Sequence, residues 1–442
     1  MKAFLKKGVV AILTLEARAV VRKYKPRIVA ITGSVGKTST KDAVYAVLAQ
    51  SFHVRRSDKS FNSEVGLPLT ILGCPNAWNN PIRWLQNILD GLLLILFPTK
   101  YPEWLVLEIG ADRPGDIRAV AKWLPVDIAV ITHLPEMPVH VEYFNSPTDV
   151  VEEKASIINA LKQNSTLVLY ADDERTRSLA SRAKEHDARV ITFGISEKAD
   201  VRGGDFAPIF EKEKMPNDGV EMIKHPVGMR ATIIADSTSE QLEIIGTIGK
   251  HQFISLFAAA AVGIALQKKL PVIVGALRGY VPPRGRMRLI PGIKQTLIID
   301  DTYNASPAAV AAALDTLPLI QAKRKIVVLG DMLELGKYSV EEHRKVGMQI
   351  AKVVDLLLTV GFRAHDIASG ALDEGLADAK IMQYEDSQEA GNELQTMLEP
   401  GDCVLVKGSQ SMRMEKVVKE IMAEPEKAGD LLVRQEVEWE KR

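Results

Sequence analysis

The stretch Ile31-Thr-Gly-Ser-Val-Gly-Lys-Thr-Ser39 follows an apolar β-type run at residues 27–32 and opens a helical one. That order constrains the fold more than any other feature of the chain. A strand has to deliver the loop to a sheet edge, and a helix has to begin where the loop ends. Gly33 and Gly36 allow backbone N–H groups to face phosphate oxygens. The helix N-terminus adds positive potential, Lys37 can pair with β/γ-phosphates, and Thr38 can ligate Mg²⁺. The spacing is Gly-x-x-Gly-Lys-Thr, two residues shorter than the common phosphate-loop form. Gly33, Ser34, Val35, Gly36, Lys37, Thr38 and Ser39 are therefore the expected ATP-binding loop. A glycine-bearing turn is the bland alternative.

Further short β-type runs alternate with helix-length segments, at residues 104–109, 127–132, 166–170 and 189–193. This alternation predicts an α/β fold with a doubly wound, mostly parallel sheet. Residues 198–247 break the pattern with Gly, Pro, Asp and short alternating runs, which predicts an antiparallel insertion or an extra sheet. Residues 250–279 are Ala-rich and read as helical. Val281-Pro-Pro-Arg-Gly-Arg286 then reads as a linker. A second α/β series follows, with strands expected at 296–300, 325–329, 355–360 and 403–407, giving a C-terminal Rossmann-like unit. The expected division is a basic N-terminal helix (1–25), a phosphate-loop ATPase domain (26–283) and a C-terminal domain (284–442). The charged tail from residue 424 reads as a solvated helix or frayed end.

At 442 residues, 46% of them hydrophobic, the chain can bury a large core. Lys+Arg and Asp+Glu both number 56, which argues against a nucleic-acid partner. Two cysteines, Cys74 and Cys403, are too few for a disulfide framework or a cysteine zinc site. Residues 1–27 carry eight basic residues against Glu16, around the apolar run 8–15. A secretory signal starts this way too, but the run is short and the nucleotide chemistry calls for the cytoplasm. The segment predicts a basic helix that either lies on an anionic membrane surface or packs on its own domain. Residues 84–97 are strongly apolar, shorter than a spanning helix and interrupted by Asp90, so a buried or membrane-grazing helix is expected.

Other residues carry chemistry. Glu108 closes an otherwise apolar strand, where a carboxylate is costly without a partner and where ligands bind in open α/β sheets; it is a candidate Mg²⁺ ligand. His140 lies in the loop after the strand ending at Thr132 and Lys154 in the following helix. On spacing alone they mean little, since a lone histidine is more often a satisfied polar residue and a helix lysine is usually solvated. Ile298-Ile-Asp-Asp-Thr-Tyr-Asn-Ala-Ser-Pro307 and Val328-Leu-Gly-Asp-Met-Leu-Glu-Leu-Gly336 gather acids, hydroxyls and an amide at strand ends. Such clusters can bind ribose, amine or metal, or can cap helices.

Taken in order, these stretches resemble the Mur ligase family of ATP-dependent peptidoglycan-precursor ligases. The carrying residues are ITGSVGKTS (31–39), FNSEVGLPLTIL (61–72), LEIGADRPGDI (107–117), the His140/Lys154 segment, GKHQF (249–253), GRMR (285–288), DDTYNASP (300–307), GDMLELG (330–336) with EEHRKVG (341–347), and VLVKGSQSMRMEKVV (404–418). The last four are most similar to the branch that adds D-alanyl-D-alanine. The resemblance implies a monomeric enzyme that joins D-alanyl-D-alanine to a peptidoglycan precursor through an acyl phosphate, using ATP and two Mg²⁺ ions. It implies catalytic roles for Lys37, His140 and Lys154, with Lys154 carbamylated. Thr38, Glu108, His140 and Lys154 would serve metal. Gln252, Arg286 and Asp301 would contact nucleotide, although the family usually has asparagine where Gln252 stands. Asn304, Lys407, Ser409 and Ser411 would lie near the incoming substrate. Family members also carry an N-terminal domain for a UDP-sugar, to which residues 1–25 do not correspond. A glutamate-adding or folate-type ligase on the same scaffold, and a nucleotide-binding membrane-associated protein without catalysis, are the rival readings.

Overall fold

The structure, a computed structural model, describes residues 3–58, 61, 64–210, 224–436 and 439, the first five as backbone only. Two sheets organise the chain. The first has nine strands: β1 (Arg27–Thr32), β2 (Val54–Arg56), β3 (Trp104–Glu108), β4 (Val126–Ile131), β5 (Leu161–Tyr170), β6 (Arg189–Gly194), β7 (Val201–Phe210), β8 (Pro226–Ala235) and β9 (Thr238–Ile245). Their spatial order is β2-β3-β1-β4-β5-β6-β7-β8-β9. Pairing is parallel as far as β7 and antiparallel through β8 and β9. The irregular stretch after residue 198 is thus an antiparallel extension of the same sheet.

The helices of this half are α1 (Ala3–Tyr24), α2 (Lys37–Ala49), α3 (Gly66–Leu72), α4 (Pro81–Leu96), α5 (Asp116–Ala121), α6 (Pro147–Ala155), α7 (Glu174–Ser178) and α8 (Lys250–Ala265). Side chains of a strand alternate between faces, so β1 feeds two cores at once. Val29 and Ile31 enter one cluster with α2 and α8, while Ile28 and Ala30 enter the other with α1 and α3. Burial on both faces is why β1 reads as a continuous apolar run. Helix α8 is enclosed along most of its length, with Phe253, Leu256 and Phe257 fully buried. Each such side chain contributes about 1.5–3 kcal/mol of burial free energy.

The second sheet has six strands: β10 (Arg288–Pro291), β11 (Leu297–Asp301), β12 (Lys325–Gly330), β13 (Leu356–Val360), β14 (Ile381–Tyr384) and β15 (Cys403–Lys407). They run in the order β10-β11-β15-β12-β13-β14 and are parallel except for β10. The cluster around α2 and α8 continues into Leu297, Ile299, Val327 and Leu405 of this sheet. One apolar core therefore joins the two halves below the site.

Two expectations need correction. Of the two alternatives for residues 84–97, the buried helix is excluded, since only Trp84, Asn87 and Gly91 of α4 are buried. The C-terminal tail is not simply solvated. Arg434 is buried and donates to the carbonyls of Thr302 and Tyr303 while pairing with Glu415. A carbonyl-rich loop gains a fixed cation there, which no local pattern in the tail announces. Lys2, and Asn62 and Ser63 of the FNSEVGLPLTIL stretch, lie outside the described residues.

Candidate active site

The phosphate-type loop sits where β1 ends. Gly33 has φ 137°, and a Cβ there would stand 2.0 Å from Thr132 Oγ1, so only glycine lets β1 and β4 approach this closely. Gly36, at φ 85°, turns the chain into α2. The N–H groups of Ser34 and Val35 donate to the His133 carbonyl at 3.0 and 3.4 Å, which ties the loop to β4. Those two donors are spent on the fold. The donors left for an anion are the first-turn N–H groups of α2, which a helix cannot satisfy internally. Ser255 Oγ of α8 donates to the Gly36 carbonyl at 3.3 Å and braces the turn from the other side. Lys37 Nζ donates to the Gly33 carbonyl at 2.9 Å. Burial holds its ammonium below the usual lysine range, Glu108 and Asp112 oppose the shift, and Arg286 adds to it.

Thr38 Oγ1 donates to Glu108 Oε1 at 3.2 Å, bringing together the hydroxyl and the carboxylate expected to serve a metal. Lys154 is fully buried on α6. Burial first, and the charge of Lys37 second, push its ammonium down to about 7. The preceding residue, Glu153, points elsewhere: its carboxylate accepts the N–H groups of Ile117 and Arg118 at 2.8 and 3.1 Å and so fixes α6 against the start of α5. His140 stands at φ 69° in the loop after β4. Its Nδ1 lies 2.7 Å from Glu334 Oε2, and its Nε2 lies 3.7 Å from Asp112 Oδ1. Glu334 is held below the usual carboxylate range by its close pairing with His140. Asp112 also acts electrostatically on both Lys37 and Lys154, so His140, Asp112, Lys37 and Lys154 share one cleft. Among the described residues no group of three His, Cys, Asp or Glu side chains converges on one metal position. The oxygen donors present suit Mg²⁺, which typically takes one or two carboxylates and completes its shell with water and substrate phosphates.

The second sheet contributes the facing wall. Lys407, at the end of β15, is buried with its Nζ 2.5 Å from Asp301 Oδ2 and 2.8 Å from the Asn304 carbonyl. Asp301 also accepts the Met287 N–H at 3.2 Å, and the Arg286 guanidinium lies over the Tyr303 ring at 4.1 Å. His251, on the first turn of α8, is pushed down to about 4 by burial; Asp301 opposes the shift, and Lys407 and Arg286 add to it. Arg286 thus acts on Lys37 in one wall and on Lys407 in the other.

The remaining sequence candidates are placed as follows. Gln252 is buried on α8 beside His251. Asn304 is half-buried and turns its Oδ1 onto its neighbour's N–H at 2.9 Å. The Ser409 hydroxyl accepts the Leu333 N–H at 2.9 Å, which binds it to the fold, whereas Ser411 is exposed. Sequence reasoning passed over Asp112, His251, Ser255 and Arg434 as site residues. The first two lie inside stretches singled out for other residues, and the others carry no local signal.

The Mur ligase middle-domain model matches residues 31–263, and the Mur ligase glutamate-ligase-domain model matches residues 285–410. The chain belongs to the Mur ligase family. Among its relatives is the UDP-N-acetylmuramoyl-tripeptide–D-alanyl-D-alanine ligase of Bacillus subtilis, 28% identical over 411 residues, or 92% of this chain and 79% of that one. The Mycobacterium tuberculosis enzyme of the same name is 30% identical over 417 residues, covering 90% and 73% respectively. A MurF ligase from Thermotoga maritima, solved in complex with ADP, superposes with a TM-score of 0.74 at 27% identity, covering 95% of this chain and 84% of that one. In this Mur ligase, the two family matches meet at the cleft between Lys37 and Arg286.

Proposed function

We propose that this chain is an ATP-dependent ligase that adds D-alanyl-D-alanine to the tripeptide of a peptidoglycan precursor. The relatives of that name support the substrates. The observation that carries the reading is the placement of Arg286: from the segment just before β10 its charge reaches the loop lysine, so a polyphosphate bound at α2 would be neutralised from both walls.

The terminal carboxylate of the acceptor attacks the γ-phosphate of ATP, giving an acyl phosphate and ADP. Lys37 and the first turn of α2 hold the phosphate oxygens, and Arg286 stabilises charge from across the cleft. The amine of D-alanyl-D-alanine then attacks the acyl carbon, forming the amide and releasing phosphate. Asp301, Lys407 and Asn304 line the wall from which the amine would approach. Thr38 and Glu108 would hold one Mg²⁺, and His140 Nε2 with Lys154 a second; the ions would supply positive charge at the transferring group. Lys154 would serve as its carbamate. Its depressed pKa keeps a share of neutral amine available to CO₂, and its burial shields the product. The pairing of His140 with Glu334 would hold the two walls in register, while the stacking of Arg286 on Tyr303 would fix the guanidinium within its own wall. We assign the enzyme to the cytoplasm as a monomer. Among the described residues no helix is long and apolar enough to cross a membrane.

The test is phosphate release with ATP, Mg²⁺ and UDP-linked muramoyl tripeptide, with and without D-alanyl-D-alanine. Release that depends on both the acceptor and the dipeptide is expected. Release that glutamate stimulates and the dipeptide does not would overturn the substrate assignment.

A further inference from the structure

Helix α4 carries its apolar side outward. Its inward face is narrow and well anchored: Trp84 Nε1 donates to the Trp78 carbonyl at 2.9 Å, Asn87 Nδ2 donates to the Pro75 carbonyl at 2.9 Å, and Gly91 lies against Glu16 of α1. The opposite face presents Ile82, Leu85, Leu89, Leu92, Leu93 and Leu96, each between 44% and 68% exposed. At ~100° per residue these six fall within a stripe about 100° wide and ~21 Å long. No polar side chain interrupts it, because Arg83, Gln86 and Asp90 all lie to one side. Phe97, just past the end of α4, is exposed as well, as are Ile12 and Leu15 of the adjoining α1. A soluble helix ordinarily buries such a stripe.

The surroundings of the stripe identify what it meets. The chain as a whole is neutral, with 56 basic and 56 acidic residues, yet residues 8–27 and 78–100 together hold seven Lys or Arg against Glu16 and Asp90. Glu16 is buried, which leaves Asp90 as the exposed acid of these two segments against the exposed Arg22, Lys25, Arg27, Arg83 and Lys100. Lys23 Nζ donates to the carbonyls of Leu94, Ile95 and Phe97 at the end of α4, which locks α1 and α4 into one plate. Arg22 and Lys25 remain exposed at its edge. Protein-binding hot spots favour Trp, Tyr and Arg and are poor in Leu. A Leu/Ile face without hydrogen-bonding groups, rimmed by cations, matches the boundary between headgroups and acyl chains. At 16 residues α4 is too short to span, so it would lie in the plane of the surface.

We propose that the α1–α4 plate docks this enzyme on an anionic lipid bilayer. A groove of about 520 Å³ runs from Val10, Thr14 and Arg18 of α1 to Asp112 and Arg113 at the active-site cleft. The groove thus links another side of α1, apart from the apolar stripe, to the cleft.

Flotation with phosphatidylcholine vesicles, with and without phosphatidylglycerol, tests this without using any ligase substrate. The wild-type chain should float with the mixed vesicles and be released at high salt. The variant Leu85→Ser/Leu89→Ser/Leu92→Ser/Leu96→Ser changes only exposed positions. It should keep its thermal melting and ATP turnover while its partitioning onto mixed vesicles falls roughly tenfold or more. Arg22→Glu/Lys25→Glu should weaken binding to the mixed vesicles only. Equal partitioning of the wild type and the Leu→Ser variant, or no flotation of either, would overturn the proposal. So would a lipid-free wild-type dimer that the Leu→Ser variant converts to monomer, which would assign the face to a second copy of the chain.

Discussion

The buried pair of Lys407 and Asp301 offers a quantitative test of how the second sheet builds its wall. Both side chains are almost fully buried, with Nζ and Oδ2 2.5 Å apart. At an effective dielectric near 20 their gross attraction is about 7 kcal/mol, set against a desolvation cost of several kcal/mol per ion. Removing one partner strands the other, at about 3–5 kcal/mol. The two single losses should be unequal. In Lys407→Met, Asp301 still accepts the Met287 N–H, so the cost should sit near about 3 kcal/mol. In Asp301→Asn, Lys407 keeps the Asn304 carbonyl and the more distant charge of Asp300 but loses its contacting carboxylate while Arg286 still repels it, and the cost should reach about 5 kcal/mol. The double variant should cost no more than Asp301→Asn alone, a coupling of about 3 kcal/mol. Urea denaturation followed by far-UV circular dichroism at neutral pH measures all three. Singles within about 1 kcal/mol of wild type, or a double equal to their sum, would refute the reasoning.

Three further outcomes follow from the same geometry. Lys37→Ala should lose ATP turnover with its melting temperature little changed, because the loop is held by Gly33, Gly36 and the His133 carbonyl; turnover near wild type would remove the loop from the mechanism. Lys154→Ala should be nearly inactive and should regain turnover with added short carboxylates that can occupy the anionic position. Full activity without them would exclude a carbamate there. Glu16 is pushed up to about 7 by burial between α1 and α4, against an ordinary value of 4.5. The folded carboxyl therefore keeps its proton to higher pH than the unfolded one, and stability falls as pH rises from 4.5 through 7. Glu16→Gln should gain about 1–3 kcal/mol over wild type at pH 8 and almost nothing at pH 4, read from urea midpoints, and an equal gain at both would contradict the assignment.

Much of the site was legible in the sequence because its signals are local. A strand, two glycines, a lysine and a helix start form a contiguous phosphate loop, and a carboxylate closing an apolar strand marks Glu108 without reference to anything distant. The same holds for the alternation of strands and helices that predicts both sheets. Packing decided the rest. His140 meets Glu334 across 194 residues of chain, and Arg434 clamps a loop more than 130 residues upstream. No spacing rule reports such pairs, since each depends on how the two sheets share a core. The Lys154 ammonium is an ordinary helix lysine until α6 is pressed against α5 and the cleft removes its water. Helix α4 makes the same point in reverse. Its apolar residues are plain in the sequence, but which of them face out is set by Trp84, Asn87 and Gly91, whose small or hydrogen-bonded faces alone fit against α1 and its surroundings. Side-chain identity fixes what each face can bind, and only tertiary contacts choose the face that is left exposed.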